Sequence, residues 1–300
     1  MRVLITGAHG LVGQTLARYL VANTSHNVIL TSSSDIGANI PTGATFVQHN
    51  LLEQGVKSLL DRANPHAVVH CAAIGSPDAC EKQPDLCNRL NAEIPKILAQ
   101  ETKGRAVKLI HLSTDFVFDG NTGMYTEDDA PHSVCLYGSS KLESERNVLK
   151  YNPNALIVRT ALVFGMLPNL ARTNILQRVV EALKRGDSFR VPTDQVRTPT
   201  WSWDLARGIT LLLESSKSGI FHIAGDTQIS VAHFAMLIAQ VFSLNSSLLI
   251  PVLSQELNEP APRPLRTGLR VEKMEQQLGF KATPLAHALQ WERVSEYNYY

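Results

Sequence analysis

The chain lacks a hydrophobic run approaching the ~20 residues that cross a bilayer, a Cys-x-x-Cys pair and a lysine- or arginine-rich tract. Each absence removes a class of function. The first argues against an integral membrane protein. The second concerns Cys71, Cys80, Cys87 and Cys135, which have no histidine at zinc-finger spacing and read as reduced thiols rather than metal ligands or a disulfide framework. The third, with 28 basic against 27 acidic residues and a net charge of +1, leaves no stripe for phosphate backbones, so nucleic acid is not an expected partner. The opening MRVLITGAHG reads as a strand from Arg2, with no room for a secretory leader. The expectation is a soluble, cytoplasmic protein.

What is present points to an α/β chain. A hydrophobic share of 44% over 300 residues can fill a sizeable core. Short β-branched runs alternate with stretches of helical period: RVLIT (Arg2 to Thr6), LVGQTLARYLVA (Leu11 to Ala22), NVILT (Asn27 to Thr31). That rhythm marks βαβ units. Further apolar runs at Ala44 to His49, Ala67 to Ala72, Val107 to Ser113 and Ala155 to Thr160 suit strands buried on both faces. Helices are expected near Glu53 to Arg62, Pro84 to Glu101 and Tyr137 to Lys150. A doubly wound parallel sheet over residues 1–165 is expected. Residues 166–300 read as a smaller, mostly helical substrate lobe, with GIFHIAG (Gly219 to Gly225) returning to the main sheet.

Two motifs carry chemistry. Gly7-Ala-His-Gly10-Leu-Val-Gly13 follows the first strand and opens a helix, the context in which glycines let a pyrophosphate meet a helix N-terminus. The second strand ends LTSSSD, with Thr31 or Ser32 where an NAD site places an acid, which leans towards NADP; Asp35 reads as a loop cap. Tyr137 and Lys141 in YGSSK lie four apart on one helical face, where an ammonium can lower a phenol's pKa and make it a usable acid. The pair alone is a common chance pattern. HLSTD (His111 to Asp115) places Thr114 at a strand's carboxyl end, where open α/β sheets bind ligands. His70, His111 and His222 read as satisfied core histidines, and Trp201 and Trp203 as lobe packing.

The ordered set of the glycine turn, Cys71-Ala-Ala73, Asn91, STD, YGSSK and RTALVFG (Arg159 to Gly165) resembles an extended short-chain dehydrogenase/reductase. STDFVFDG, YGSSKLESE, DQVRTPTWSWDLA and RPLRTGLR narrow the resemblance to the dTDP-4-dehydrorhamnose reductase group. What it implies is reduction of the C4 ketone of a nucleotide-linked 4-keto-6-deoxy sugar by NADPH or NADH. Thr114 would hold the ketone oxygen, Tyr137 would protonate it, Lys141 would lower the tyrosine pKa and bind the nicotinamide ribose, and Asn91 would hold a relay water. The cofactor would lie along Gly7, His9, Gly10, Leu11, Val12 and Gly13, then Thr31, Ser32, Asn50, Leu51, Cys71, Ala72, Ala73, Ser113, Tyr137, Lys141, Arg159 and Thr160. The sugar nucleotide would meet Asp115, Phe118, Leu162, Arg197, Arg263 and Arg266, although Phe118 also reads as core. Related dehydratases carry a glutamate where this chain has Phe116, which disfavours elimination.

Leu162 and Arg197 depart from the reductase pattern, which has Trp and Gly there. Gln14 and Thr15 occupy the first helix where some reductases place an acid of a magnesium-linked dimer, so no metal is expected, and the chain is a monomer or a homodimer. VVHCAA, PDACEKQPD and RPLRTGL are also similar to the regulatory β subunit of methionine adenosyltransferase, a binding partner that keeps the dinucleotide fold. The alternatives are therefore an NADP-binding regulatory subunit or a 4-epimerase. The aromatic SEYNYY (Ser295 to Tyr300) leaves a partner-binding tail open.

Overall fold

Most of the apolar runs become strands buried on both faces, the edge strand at Ala44–Gln48 being only partly covered. In a computed structural model, which describes residues 1–35, 40–170 and 172–296, seven of them pair in parallel. They are β1 (Arg2–Thr6), β2 (Asn27–Ser32), β3 (Ala44–Gln48), β4 (Ala67–His70), β5 (Lys108–Thr114), β6 (Leu156–Thr160) and β7 (Gly219–His222). Their order across the sheet is β7-β6-β5-β4-β1-β2-β3. The chain winds outward from β1 to β3, then returns to lay β4 on β1's other side. That reversal opens a crevice at the carboxyl ends of β1 and β4, where such sheets take ligands. The last four residues of SEYNYY lie outside the described residues.

Strand alternation sorts the side chains into two layers. Val3 and Ile5 pack with Leu16 and Leu20 of the helix Leu11–Asn23 and Leu205, Ile209 and Leu212 of the helix Ser202–Glu214. Leu4, Val68, Leu109 and Ile157 pack oppositely, on Leu59, Leu60 and Leu98. A third cluster, including Phe164, Val179, Phe234, Ile238 and Leu289, joins the helices Ile175–Lys184, Val231–Val241 and Leu285–Glu296. The expected helix at Glu53 to Arg62 is divided at Gly55, whose φ of +77° turns the chain between Leu51–Gln54 and Val56–Ala63. The one at Pro84 to Glu101 carries a π-turn at Arg89–Glu93. No helix among the described residues is long and apolar enough to cross a membrane.

Glu292 closes the helical lobe from within. It is fully buried, and its carboxylate accepts from Trp201 Nε1 at 2.6 Å and from the Met166 amide at 2.7 Å. Burial outweighs both bonds and raises its pKa from 4.5 to about 7. The folded chain therefore holds a proton that the unfolded chain has released, so stability falls as pH rises from about 4.5 to 7 and levels off above. The gap corresponds to roughly 3 kcal/mol. Glu292→Gln is expected to flatten this slope in urea melts taken at pH 5, 6, 7 and 8. Equal slopes in variant and wild type would refute it.

Candidate active site

The glycine turn is shaped by crowding at two positions and by openness at a third. A Cβ on Gly7, whose φ is +69°, would lie 2.7 Å from the Ala72 amide nitrogen, and one on Gly13 would lie 2.6 Å from the Gly7 carbonyl oxygen. These two glycines let the end of β1, the first helix and the end of β4 close on one another. Gly10 is different, since its Cβ would meet only Gly7 O at 3.5 Å. It is also the N-cap of Leu11–Asn23 and offers no side-chain cap, so the first-turn amides at Leu11 and Val12 face a cavity. An uncapped helix start with an open glycine suits a pyrophosphate. Gly10→Ala is expected to melt like wild type yet to bind NADPH about tenfold more weakly, ~1.4 kcal/mol, by fluorescence titration. Unchanged affinity would mean that no phosphate approaches there.

That cavity, of about 1010 Å³, runs from the glycine turn past the ends of β4, β5 and β6 into the helical lobe. Thr114 ends β5 and caps a 3-10 turn, Asp115–Val117, its Oγ1 accepting from the Phe116 amide at 3.2 Å. The helix Leu136–Tyr151 docks on that turn so closely that a Cβ on Gly138 would collide with the Phe116 carbonyl oxygen. The docking sets the Phe116 ring edge-on to Tyr137 at 5.8 Å and lets Tyr137 hydrogen-bond with Thr114. Burial pushes the phenol above its ordinary value, against the Thr114 hydrogen bond and with Asp115 adding to the rise. The expected lowering by Lys141 does not prevail. A phenol so placed is protonated at neutral pH, as a proton donor must be.

Lys141 lies one turn further on and beneath the wall, 3% exposed, with Nζ 3.1 Å from His111 Nε2. Burial, opposed chiefly by Glu145, lowers its pKa to about 8. Asn91 sits within the π-turn and does not line the cavity. Its Oδ1 accepts from the Ile74 amide at 2.8 Å, and its Nδ2 donates to Ile74 O and Ser140 Oγ, both at 3.2 Å. The side chain thus pins the loop after β4 to the Tyr137 helix. Beside it the Cys80 and Cys87 thiols touch at 2.6 Å.

Of the other expected residues, Gly7 to Gly13 (Ala8 apart), Thr31, Ser32, Asn50, Leu51, Cys71, Ala72, Ala73, Ser113 and Thr160 line the cavity. Leu162 lines it too, held at a φ of +40°. Asp115 and Arg197 reach the wall, but their polar atoms are committed. Arg197 donates to the carbonyls of Pro264 (2.6 Å), Leu265 (2.9 Å) and Val196 (2.8 Å), and its Nε lies 3.5 Å from Asp115 Oδ2. Thr267 donates to the same carboxylate oxygen. Arg263 lines the cavity while paired with Asp78 at 2.8 Å and Glu259 at 3.2 Å.

Three expectations are corrected. Phe118 is fully buried, stacked on Tyr125 at 4.1 Å with the Arg159 guanidinium 5.0 Å from its ring, so it is core. Arg159 points away from Thr160 by strand alternation and is held by Glu145 at 2.9 and 2.7 Å. Arg266 is exposed and outside the cavity, its backbone bridging to Val196 and its amide donating to the Gly120 carbonyl at 3.0 Å. Conversely, Arg172, Arg178 and Arg190 line the cavity unforeseen, Arg172 donating to the Gly75 carbonyl near Tyr137 and the Arg178 guanidinium lying 5.3 Å from the Phe189 ring centre. One signal for them was readable: Asn174 and Gln177 form a capping box that starts the helix Ile175–Lys184 at the cavity.

The family model described as RmlD substrate binding domain matches residues 1–295. A relative from Danio rerio named methionine adenosyltransferase 2 subunit beta is 34% identical, the match covering 96% of this chain and 88% of that protein. A relative from Haloferax volcanii named probable low-salt glycan biosynthesis reductase Agl14 is also 34% identical, over 93% of each. A crystal structure of the dTDP-4-dehydrorhamnose reductase of Bacillus anthracis in complex with NADP superposes with a TM-score of 0.82, at 25% identity, over 98% of this chain and 99% of that one.

Proposed function

The chain belongs to the RmlD substrate binding domain family, and from that premise we propose that it is an NAD(P)H-dependent reductase acting on the C4 ketone of a nucleotide-linked 4-keto-6-deoxy sugar. The observation that carries this reading is a single cavity walled by an uncapped glycine turn, by Thr114 and Tyr137, and by the arginines of the helical lobe. In this reading residues 1–165 hold the cofactor and the following lobe holds the nucleotide. When bound, the nicotinamide supplies the hydride.

The chain's own residues do the rest. Tyr137, kept protonated by burial, gives its proton to the ketone oxygen that Thr114 orients. Lys141 holds the ribose hydroxyls and supports the tyrosinate left behind. Phe116 follows Thr114 and Asp115, so no carboxylate stands there to assist loss of water. Arg178 and Arg190 are placed to take the sugar diphosphate, since guanidinium forks suit phosphate oxygens, while Arg172 donates to the Gly75 carbonyl nearer Tyr137. Ser32 and Ser33 with His9, whose Nδ1 lies 3.2 Å from Ser34 Oγ, favour NADP over NAD at the adenosine ribose.

The test is NADPH oxidation, with NADH in parallel, in the presence of dTDP-4-keto-6-deoxy-mannose. Loss of nicotinamide absorbance supports the reductase. A second reading draws on the relative named methionine adenosyltransferase 2 subunit beta: tight NADPH binding without turnover would replace the enzyme with an NADP-binding subunit.

A further inference from the structure

Beneath the reacting groups, a row of three polar side chains crosses the sheet in register. Thr6 on β1 pairs with His70 on β4, and His70 pairs with His111 on β5. All three are buried, and the imidazoles stack at 5.4 Å between centroids with planes 19° apart. The row ends on Lys141. Reading these positions as satisfied core histidines is too simple: His70 Nε2 and His111 Nδ1 have no hydrogen-bond partner, although both are enclosed.

The hydrogen bonds assign the protons. Thr6 Oγ1 accepts from the Ala72 amide at 3.3 Å, and the acceptor in reach of its own proton is His70 Nδ1 at 2.7 Å, which puts the His70 hydrogen on Nε2. Around His111, Nε2 has Ser144 Oγ at 2.8 Å and Lys141 Nζ at 3.1 Å. A hydrogen on Nε2 would point at an ammonium. The hydrogen therefore sits on Nδ1, and Nε2 accepts from both Lys141 Nζ and the Ser144 hydroxyl. Burial, then Lys141, then the neighbouring His70 drive the His111 pKa well down, so this acceptor stays neutral.

Neutrality is what distinguishes this arrangement. The nearest carboxylate on the same helix, Glu145, is spent on Arg159 and on Ser113 Oγ at 2.5 Å. Cys71, Cys80 and Cys87 also face Lys141, and of these Cys71 and Cys80 are pushed up as thiols by burial, Cys71 to about 12. A carboxylate at His111's position would orient the lysine but cancel its charge; an imidazole orients it and leaves the charge to act on the phenol and cofactor. We infer that His111 is a positioning residue, a neutral acceptor that fixes Lys141 under the nicotinamide ribose without neutralising it. The inference rests on the reductase reading for the role of Lys141.

The experiment compares His111→Leu, His111→Gln, His111→Asn and Ser144→Ala in the full-length protein. Two readouts are used: NADPH affinity against pH by fluorescence, and kcat and KM against pH with the keto sugar. Gln keeps an acceptor near the Nε2 position, Asn falls short, and Ser144→Ala removes the nitrogen's other neighbour. His111→Leu and His111→Asn are expected to move the alkaline midpoint of NADPH binding down by about one pH unit and to lower kcat about ten- to a hundredfold. His111→Gln and Ser144→Ala are expected to keep the wild-type midpoint. Should Leu fail to fold, the contrast between Gln and Asn decides. An unmoved midpoint in both Leu and Asn, or in whichever of them folds, overturns the inference. A wild type that binds NADPH with that midpoint but reduces no sugar overturns only the reductase reading.

Discussion

Tyr137→Phe is expected to lower kcat for ketone reduction about 10²- to 10⁴-fold, the range for losing a positioned general acid, while NADPH affinity and melting temperature hold. The hydroxyl is what is lost; the ring stays edge-on to Phe116. Thr114 loses its partner but keeps the Phe116 amide and reaches Asp115 Oδ1 at 3.1 Å. Stopped-flow single turnovers with preformed NADPH complex measure the chemical step directly. A kcat within threefold of wild type would mean that another group delivers the proton.

The largest expected loss of stability lies one strand away. Glu145→Ala leaves the Arg159 guanidinium, 2% exposed, without its bidentate partner. Breaking a buried ion pair from one side costs about 3–5 kcal/mol, because the stranded charge cannot regain water. Replacing both partners is different: the double variant Glu145→Leu with Arg159→Met removes both charges and is expected to recover most of the loss. Urea unfolding of the four-member cycle separates these outcomes. If the double variant is as unstable as Glu145→Ala, packing around Phe118, and not the charge, sets the cost.

Much of the fold was legible because parallel strands covered on both faces must be apolar throughout. RVLIT, NVILT and ALIVRT announce themselves, and GIFHIAG could be assigned to the sheet although the surrounding helices obscure it. The cofactor end was legible for a related reason: close backbone approach demands glycine at fixed spacing, and that demand is local. The substrate end was not. Arg172, Arg178 and Arg190 meet at one cavity only when the helical lobe folds over the sheet, and the capping box at Asn174 marks a helix start there without separating them from solvated arginines. Arg159, Phe118 and Arg266 fail in the opposite sense. Their motifs mark the right neighbourhood, but strand alternation and the depth of the Asp115 turn decide which member faces the cavity. His111 reads as a satisfied core residue because a histidine inside an apolar strand looks inert until the helix above it is placed.

The clasp around Asp115 also has a bearing on how the protein folds. Its carboxylate and Arg197 are buried together, and the groups that satisfy them, the Thr267 hydroxyl and the carbonyls of Pro264 and Leu265, come from the last eighth of the chain. Gly120 meets the same segment so closely that a Cβ would lie 2.6 Å from the Leu265 amide nitrogen. The Thr267–Asp115 contact joins segments 152 residues apart, so the floor of the pocket is a long-range contact that closes only when both segments have folded.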